Sequence, residues 1–343
     1  MDPFELRKIS DTDIAVTCLG FGGASMGNMY TEARDDEALK AIRSAYEAKV
    51  RYFDTAPMYG FGKSERLYGK VLKDQPRDSF VLSSKVGRLI MAGKPTPQPE
   101  DKGFEIDEDT CFVEIDNAYS MFDYSRDGVL RSLEESRKRL GIDKIDIVYI
   151  HDPDVNDSFK QALDEAFPAL ADLKRQGVIG AIGAGMNQAE MLCDFAKNAD
   201  FDCFLLAGRY TLLDQIALKE LLPLCQQKNI SIIIGGAYNS GILATGAIEG
   251  AHYNYAPAPP EIMEKTRKIE TVCARFNIPM KAAALQFPFG HPTVVANIPG
   301  VKTKERFEEN LSLFTYPIPA DFWAALKEEN LIVPEAPVPA GSK

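Results

Sequence analysis

Basic residues are in deficit in this chain, with 39 Lys and Arg against 50 Asp and Glu, a net charge of -11. That balance works against nucleic acid as a partner, because phosphates are held by basic patches, and against anionic membrane surfaces. It leaves room for a locally basic pocket holding an anionic cofactor. Cysteines number six (Cys18, Cys111, Cys193, Cys203, Cys225 and Cys273), and none forms a CxxC pair. Several sit in apolar strings, so they read as buried reduced thiols of a cytoplasmic protein, and no metal site is expected. No apolar run is long enough to span a bilayer. The opening Met-Asp-Pro-Phe-Glu lacks the basic start and apolar stretch of a signal peptide. The expectation is a soluble, cytoplasmic protein acting on small molecules.

Apolar residues make up 45% and charged residues 26% of the 343 positions, an ordinary globular balance. Short β-branched runs at 50–54, 80–85, 145–151, 178–183, 203–207, 230–235 and 294–298, with a weaker one at 16–20, predict strands. Segments of helical spacing fall between them at 35–49, 126–140, 158–176, 188–197, 214–228 and 260–276. Gly141, Gly177 and Asn229 stand where helix C-caps are expected. No linker or composition shift divides the chain, which reads as a single domain over 1–343. The Pro- and Ala-rich tail after residue 330 is expected as a mobile or surface-hugging extension.

Such alternation demands parallel strands, in a (βα)8 barrel or a doubly wound open sheet. An open dinucleotide-binding sheet should carry GxGxxG after its first strand. The Gly-rich turn here, Gly20-Phe21-Gly22-Gly23-Ala24-Ser25, does not match it. The predicted fold is therefore α/β, a (βα)8 TIM barrel. A connection at 88–125, after the third strand, far exceeds the usual barrel loop. It carries a Pro-rich run at 94–99 and the aromatics Phe104, Phe112, Tyr119, Phe122 and Tyr124, which favour an ordered lid.

Barrel active sites lie at the C-terminal ends of the strands, so polar residues ending apolar runs are candidates. Asp54 ends Val50-Arg51-Tyr52-Phe53-Asp54, Lys85 ends the 80–85 run, His151 ends Ile150-His151, and Tyr59 lies in the loop after Asp54. Each alone has a plain structural use: a turn carboxylate, a packed phenol, a solvated ammonium, a core imidazole. Together they make acid–base chemistry. A phenol near its ordinary pKa of about 10 exchanges protons poorly at neutral pH. An adjacent ammonium is expected to lower that value, a carboxylate to hold the ammonium, and a neutral imidazole to orient the substrate oxygen.

The strings Leu19-Gly20-Phe21-Gly22, Phe53-Asp54-Thr55-Ala56-Pro57-Met58-Tyr59-Gly60, Ser84-Lys85-Val86-Gly87 and Ile150-His151 resemble the aldo-keto reductase superfamily from about residue 5 to 330. The resemblance implies a (βα)8 barrel binding NAD or NADP without a Rossmann motif. It implies Asp54, Tyr59, Lys85 and His151 as the catalytic tetrad, with Tyr59 the acid/base. It assigns Asn187 to the nicotinamide carboxamide, although the Ser that precedes this Asn in the family is Met186 here. Tyr210 is assigned to stacking on the nicotinamide, although the family's Gln three residues earlier is Ala207. In the segment 298–310, Arg306 is implied at the adenine and ribose, and Glu309 and Asn310 at the adenine amine. Gly23, Gly300 and Lys302 complete the implied cofactor positions. Gly300-Val301 replaces the Lys-Ser pair that grips a 2′-phosphate, leaving Lys302 or Lys304 as substitutes and NAD and NADP both open.

Phe122-Asp123-Tyr124-Ser125, His151-Asp152-Pro153-Asp154 and Tyr253-Asn254-Tyr255-Ala256-Pro257 resemble one branch, containing D-threo-aldose 1-dehydrogenases, also called L-fucose or L-galactose dehydrogenases, and a pyridoxal 4-dehydrogenase. The implied reaction is oxidation of a cyclic sugar hemiacetal, of the L-fucose, L-galactose or D-arabinose type, at C1 to the lactone. Asp123, Tyr124, Asp152, Tyr238 and Asn239 are candidates to read ring hydroxyls. Pyridoxal oxidation is the alternative, with Phe112, Tyr119 and Phe122 as an aromatic pocket. A general aldehyde or ketone reductase and a nicotinamide-binding regulatory subunit remain further alternatives.

Overall fold

The computed structural model describes residues 1–93, 106–107, 111–113 and 117–341. Its apolar runs form eight strands: β1 (Phe21–Gly22), β2 (Tyr52–Asp54), β3 (Val81–Val86), β4 (Ile147–His151), β5 (Ala181–Met186), β6 (Cys203–Ala207), β7 (Ser231–Gly235) and β8 (Val294–Asn297). Each pairs in parallel with its neighbours in chain order. Parallel bridges Leu19 to Asn297 and Gly22 to Gly300 join the first strand region to the last and close the sheet. The Gly20 N–H donates to the Asn297 carbonyl at 2.9 Å, and the Asn297 N–H to the Cys18 carbonyl at 2.8 Å. The result is the predicted barrel.

Two apolar layers hold it. Tyr52, Tyr149, Leu205, Ile233 and Val295 fill the interior together with Ile9 and Val16, and a larger layer packs the outer faces of the strands against the helices. Ile9 and Val16 belong to an antiparallel hairpin, Leu6–Lys8 with Ala15–Thr17, so the strand expected at 16–20 is divided. Its start belongs to that hairpin, and the barrel strand begins only at Phe21. Gly22 fixes this close approach, because a Cβ there would stand 2.6 Å from the Ile298 carbonyl oxygen.

Other boundaries move for local reasons. β5 begins three residues later than predicted: Gly177 turns at φ 73°, and the Val178 N–H still caps the preceding helix at Leu173. The helix expected over 158–176 is interrupted by a π turn, Ala162–Ala166, before Phe167–Arg175. Pro168, which has no N–H to give to the preceding turn, sits at that junction. The 214–228 helix is reduced to Leu221–Lys228. Lys63–Leu72, Met280–Gln286, Lys304–Phe314 and Ala320–Glu328 complete the outer ring.

The long connection is ordered at both ends. Arg88–Ala92 and Ala118–Phe122 pair antiparallel, with Ile106–Asp107 on the other side of the second strand. Phe112 is buried beside Met58 and Phe61. The Pro-rich run at 94–99 and Phe104 lie outside the described residues. The tail hugs the body: Leu331, Ile332 and Ala336 are buried, and the Val333 N–H donates to Gln215 Oε1 at 3.3 Å.

Candidate active site

Strand alternation aims Ser83 and Lys85, two residues apart on β3, to the same side, where both meet Asp54 at the end of β2. The Lys85 Nζ donates to Asp54 Oδ2 at 2.8 Å, to Asp54 Oδ1 at 3.0 Å and to the Thr55 carbonyl at 2.9 Å, which uses all three ammonium protons. Ser83 Oγ donates to Asp54 Oδ1 at 2.7 Å. Behind it, Tyr52 and Tyr149 hydroxyls lie 2.9 Å apart and the Tyr52 hydroxyl lies 3.2 Å from Ser83 Oγ. A buried polar file thus runs from the barrel interior to the site.

Tyr59 follows Asp54 on the β2 loop, and its ring lies under the Lys85 ammonium, 4.7 Å from centroid to Nζ. The His151 ring stands edge-on to it, with centroids 5.9 Å apart, and Phe112 tilts against it at 6.0 Å. The four expected residues, Asp54, Tyr59, Lys85 and His151, therefore share one rim. Burial pushes the Tyr59 phenol well above its ordinary value, with Asp54 and Asp152 adding to the rise and Arg88 opposing it. The Lys85 ammonium, expected to favour the phenolate, gives its protons to Asp54 and Thr55 and lies over the Tyr59 ring. Burial pushes His151 well below its ordinary value, helped by Arg88 and Lys85, so the imidazole is neutral, as expected.

The substrate candidates separate. Asp152 stays at the site: its Oδ2 lies 3.4 Å from His151 Nε2 and 3.0 Å from Arg88 Nη2. Tyr124 does not line it. Its ring is fully buried and its hydroxyl donates to the His151 carbonyl at 2.6 Å, holding the end of β4 from behind. Asp123 accepts from the Ser125 N–H at 3.0 Å, a turn carboxylate at the start of the helix Arg126–Leu140. Tyr238 donates to Asn310 Oδ1 at 2.8 Å, which groups it with the 298–310 segment. Asn239 is buried and ties the ends of β6 and β7 by donating to the Gly208 carbonyl at 3.1 Å.

Among the cofactor candidates, Tyr210 is a correction. Gly208 turns at φ 70° and carries the Tyr210 ring, fully buried, into the helix layer against Phe287 at 5.2 Å. No face of it is open for stacking. The Asn187 side chain lies beside the Tyr255 phenol, whose value burial raises and Asn187 lowers. Arg306 pairs with Glu309 at 2.9 Å, Glu309 also pairs with Lys281, and Asn310 is buried beneath Tyr238. Gly23 and Gly300 have packing reasons of their own, since a Cβ would stand 2.5 Å from Ser64 Oγ in the first and 2.4 Å from Ser25 Oγ in the second. Lys302 straps the β8 loop to the β1 loop, donating to the Met29 carbonyl at 3.0 Å, the Thr31 carbonyl at 2.9 Å and Thr31 Oγ1 at 2.6 Å.

Near the C-terminal ends of β5 to β7 stand Gly185, Ala207, Gly208, Gly235 and Gly236, none with a side chain larger than a methyl. Gly185 is level with His151 in the β4–β5 ladder, and a Cβ on it would lie 3.9 Å from Lys85 Cε. The lack of bulky side chains at these positions suits a planar nicotinamide, which Asn187 and the helix start bearing Arg306, Glu309 and Asn310 would be expected to hold.

A family model of the aldo/keto reductases matches residues 18–330. The chain belongs to the aldo/keto reductase family. It is accordingly an NAD(P)-dependent oxidoreductase. It is 38% identical to a pyridoxal 4-dehydrogenase of Microbacterium luteolum, over 96% of this chain and 98% of that one. It is also 38% identical to a D-threo-aldose 1-dehydrogenase of a Pseudomonas species, over 93% and 95%. An aldo-keto reductase of Bacillus halodurans in its holo form superposes with a TM-score of 0.74 at 22% identity, covering 95% of this chain and 96% of the other, a likeness of fold. Ser83, Arg88 and Tyr255 are site residues that sequence reasoning passed over. The signal for Ser83 was its position two before Lys85 on one strand, and for Arg88 a charge opening an overlong connection.

Proposed function

We propose that this reductase-family chain oxidises a cyclic sugar hemiacetal at C1 to the lactone, with Tyr59 as the proton-transfer group. The observation that carries the proposal is the placement of the Tyr59 ring between the Asp54-anchored Lys85 ammonium and the neutral His151 ring. The nicotinamide, when bound, supplies the acceptor for the hydride lost from C1. The Tyr59 oxygen takes the proton of the C1 hydroxyl as the carbonyl forms, and His151 Nε2 holds that same oxygen. The raised Tyr59 value keeps the phenol protonated at neutral pH, so oxidation is favoured by alkaline pH and carbonyl reduction by neutral pH. The two relatives at 38% identity, named for an aldose and for pyridoxal, support this class of substrate. Phe112 against Tyr59 favours a second reading, in which the hemiacetal is carried on a planar aromatic ring such as that of pyridoxal.

The test is a panel of L-fucose, L-galactose, D-arabinose and pyridoxal with NAD+ and NADP+ at alkaline pH, followed by the absorbance of the reduced cofactor. Reduction with one of these substrates is expected, together with a loss of roughly a hundredfold or more in Tyr59→Phe. Unchanged turnover in that variant would sink the role given to Tyr59.

A further inference from the structure

The atom that must hold the reacting oxygen, His151 Nε2, has a carboxylate beside it. Asp152 Oδ2 is 3.4 Å from Nε2, and the Arg88 guanidinium holds the same oxygen at 3.0 Å. Arg88 is itself fixed: its side chain is 6% exposed, and its guanidinium lies over the Phe122 ring at 4.8 Å, across the antiparallel pair that joins residues 88 and 122. The Asp152 backbone is in the left-handed region at φ 44°, where Asp is tolerated at some cost. It is held there by its N–H donating to the Gly185 carbonyl at 2.9 Å. A strained, doubly anchored carboxylate at the edge of the substrate space is a costly feature to build for packing alone. Its side chain keeps 21% exposure, and a carboxylate offers about four acceptor positions.

We propose, resting on the hemiacetal reading above, that Asp152 held by Arg88 is a specificity residue that reads a hydroxyl on the carbon next to the reacting one. A substrate oxygen bonded to Nε2 sits one hydrogen bond from Asp152, and two oxygens on adjacent carbons are spaced on that same scale. The reacting hydroxyl takes Nε2, and its neighbour donates to the carboxylate. An ionised carboxylate only accepts, so the group read there must be a donor. The site therefore selects 2-hydroxy aldoses over 2-deoxy ones and disfavours an anionic group at that carbon. Arg88 sets the direction of the carboxylate and acts as a positioning residue.

The experiment compares an aldose with its 2-deoxy counterpart at saturating NAD+ in the wild-type protein and in Asp152→Asn. The wild-type kcat/KM should favour the 2-hydroxy sugar by roughly tenfold to a hundredfold, the scale of a hydrogen bond to a charged acceptor. Asp152→Asn should lose about that factor more on the 2-hydroxy sugar than on the 2-deoxy sugar, chiefly in KM, so that its preference falls to within about threefold. This is apart from the change common to both sugars that loss of a charge near Tyr59 brings. NAD+ binding by the variant, measured through its thermal stabilisation, should match the wild-type protein. Equal wild-type turnover of the two sugars overturns the inference without any variant. Equal losses on both sugars in a variant that still binds NAD+ overturn it as well. If the wild-type protein oxidises neither sugar, the hemiacetal reading itself falls, and this inference falls with it.

Discussion

Lys85 lies over the ring of Tyr59: the ammonium is 4.7 Å from the ring centroid, with all three protons given to Asp54 and Thr55. The phenol is therefore next to an ion pair, and the Asp54 carboxylate adds to the rise that burial imposes on it. Replacing Asp54 by Asn removes that negative charge. The alkaline limb of the pH–rate profile for oxidation should then move to lower pH, because phenolate forms more readily. The maximal rate should fall tenfold or more, for which about 1.4 kcal/mol of lost transition-state stabilisation suffices. The profile of kcat/KM against pH checks both signs, and a limb shifted upward would contradict the arrangement.

Ser83 links the site to the barrel interior, donating to Asp54 Oδ1 at 2.7 Å beside the fully buried Tyr52. Ser83→Ala deprives Asp54 of one donor in a place water does not reach. A stability loss of about 1–3 kcal/mol is expected from denaturant unfolding. A displaced pH–rate profile should accompany it, which loss of stability alone would not produce.

His151 gives a stability signature. Its folded value is depressed well below 6.5 by burial, so below that pH the unfolded chain binds a proton that the folded chain excludes. Stability is lost as pH falls through 6.5, with a slope approaching about 1.4 kcal/mol per pH unit from this one group. His151→Gln should flatten that part of the curve relative to the wild-type protein. His291, also depressed by burial, contributes to both proteins alike and leaves the difference intact. Equal slopes in urea titrations at stepped pH would contradict the assignment.

Lys302 bears on the choice of cofactor. Its ammonium is taken by three oxygens of the β1 loop, and Lys304 pairs with Glu308 at 3.5 Å. A 2′-phosphate would have to displace one of these. Lys302→Met is expected to weaken NAD+ and NADP+ to a similar degree, within about threefold of each other, because it loosens a strap and removes no phosphate ligand. Titration of both cofactors decides it: a loss confined to NADP+ would assign Lys302 to the phosphate instead, since removing a charged hydrogen bond costs about tenfold or more.

Much of the fold was legible because the barrel repeats its signal. Each buried strand is an aliphatic run, and Pro260–Phe276 has the predicted bounds. The exceptions are places where tertiary contacts outweigh the local pattern. β1 is two residues long and glycine-lined, set by the approach of β8. Pro168 divides a helix whose apolar spacing runs on through it. Asp54, Lys85 and His151 were legible as polar residues at strand ends, and the fold brings them onto one rim with Tyr59 from the loop after β2. Tyr210 was misread because a motif gives a position along the chain but not the turn at Gly208 that carries the ring inward. Tyr124 and Asp123, candidates to read ring hydroxyls, are engaged with the backbone in the structure, because a polar group near a strand end can serve the strand itself. Arg88 stayed hidden because its partner Asp152 is distant in sequence and meets it only when the hairpin folds back over β4.

The closure of the sheet by Leu19 with Asn297 and Gly22 with Gly300 has a consequence for how the molecule is made. These contacts join positions nearly the whole chain apart, so they carry the largest loop-closure entropy of the barrel and are expected late in folding. The helix start bearing Arg306, Glu309 and Asn310 lies just past this seam, and the Lys302 strap crosses it. A chain still lacking its last strand therefore cannot close the ring, and the Lys302 strap has no seam to tie.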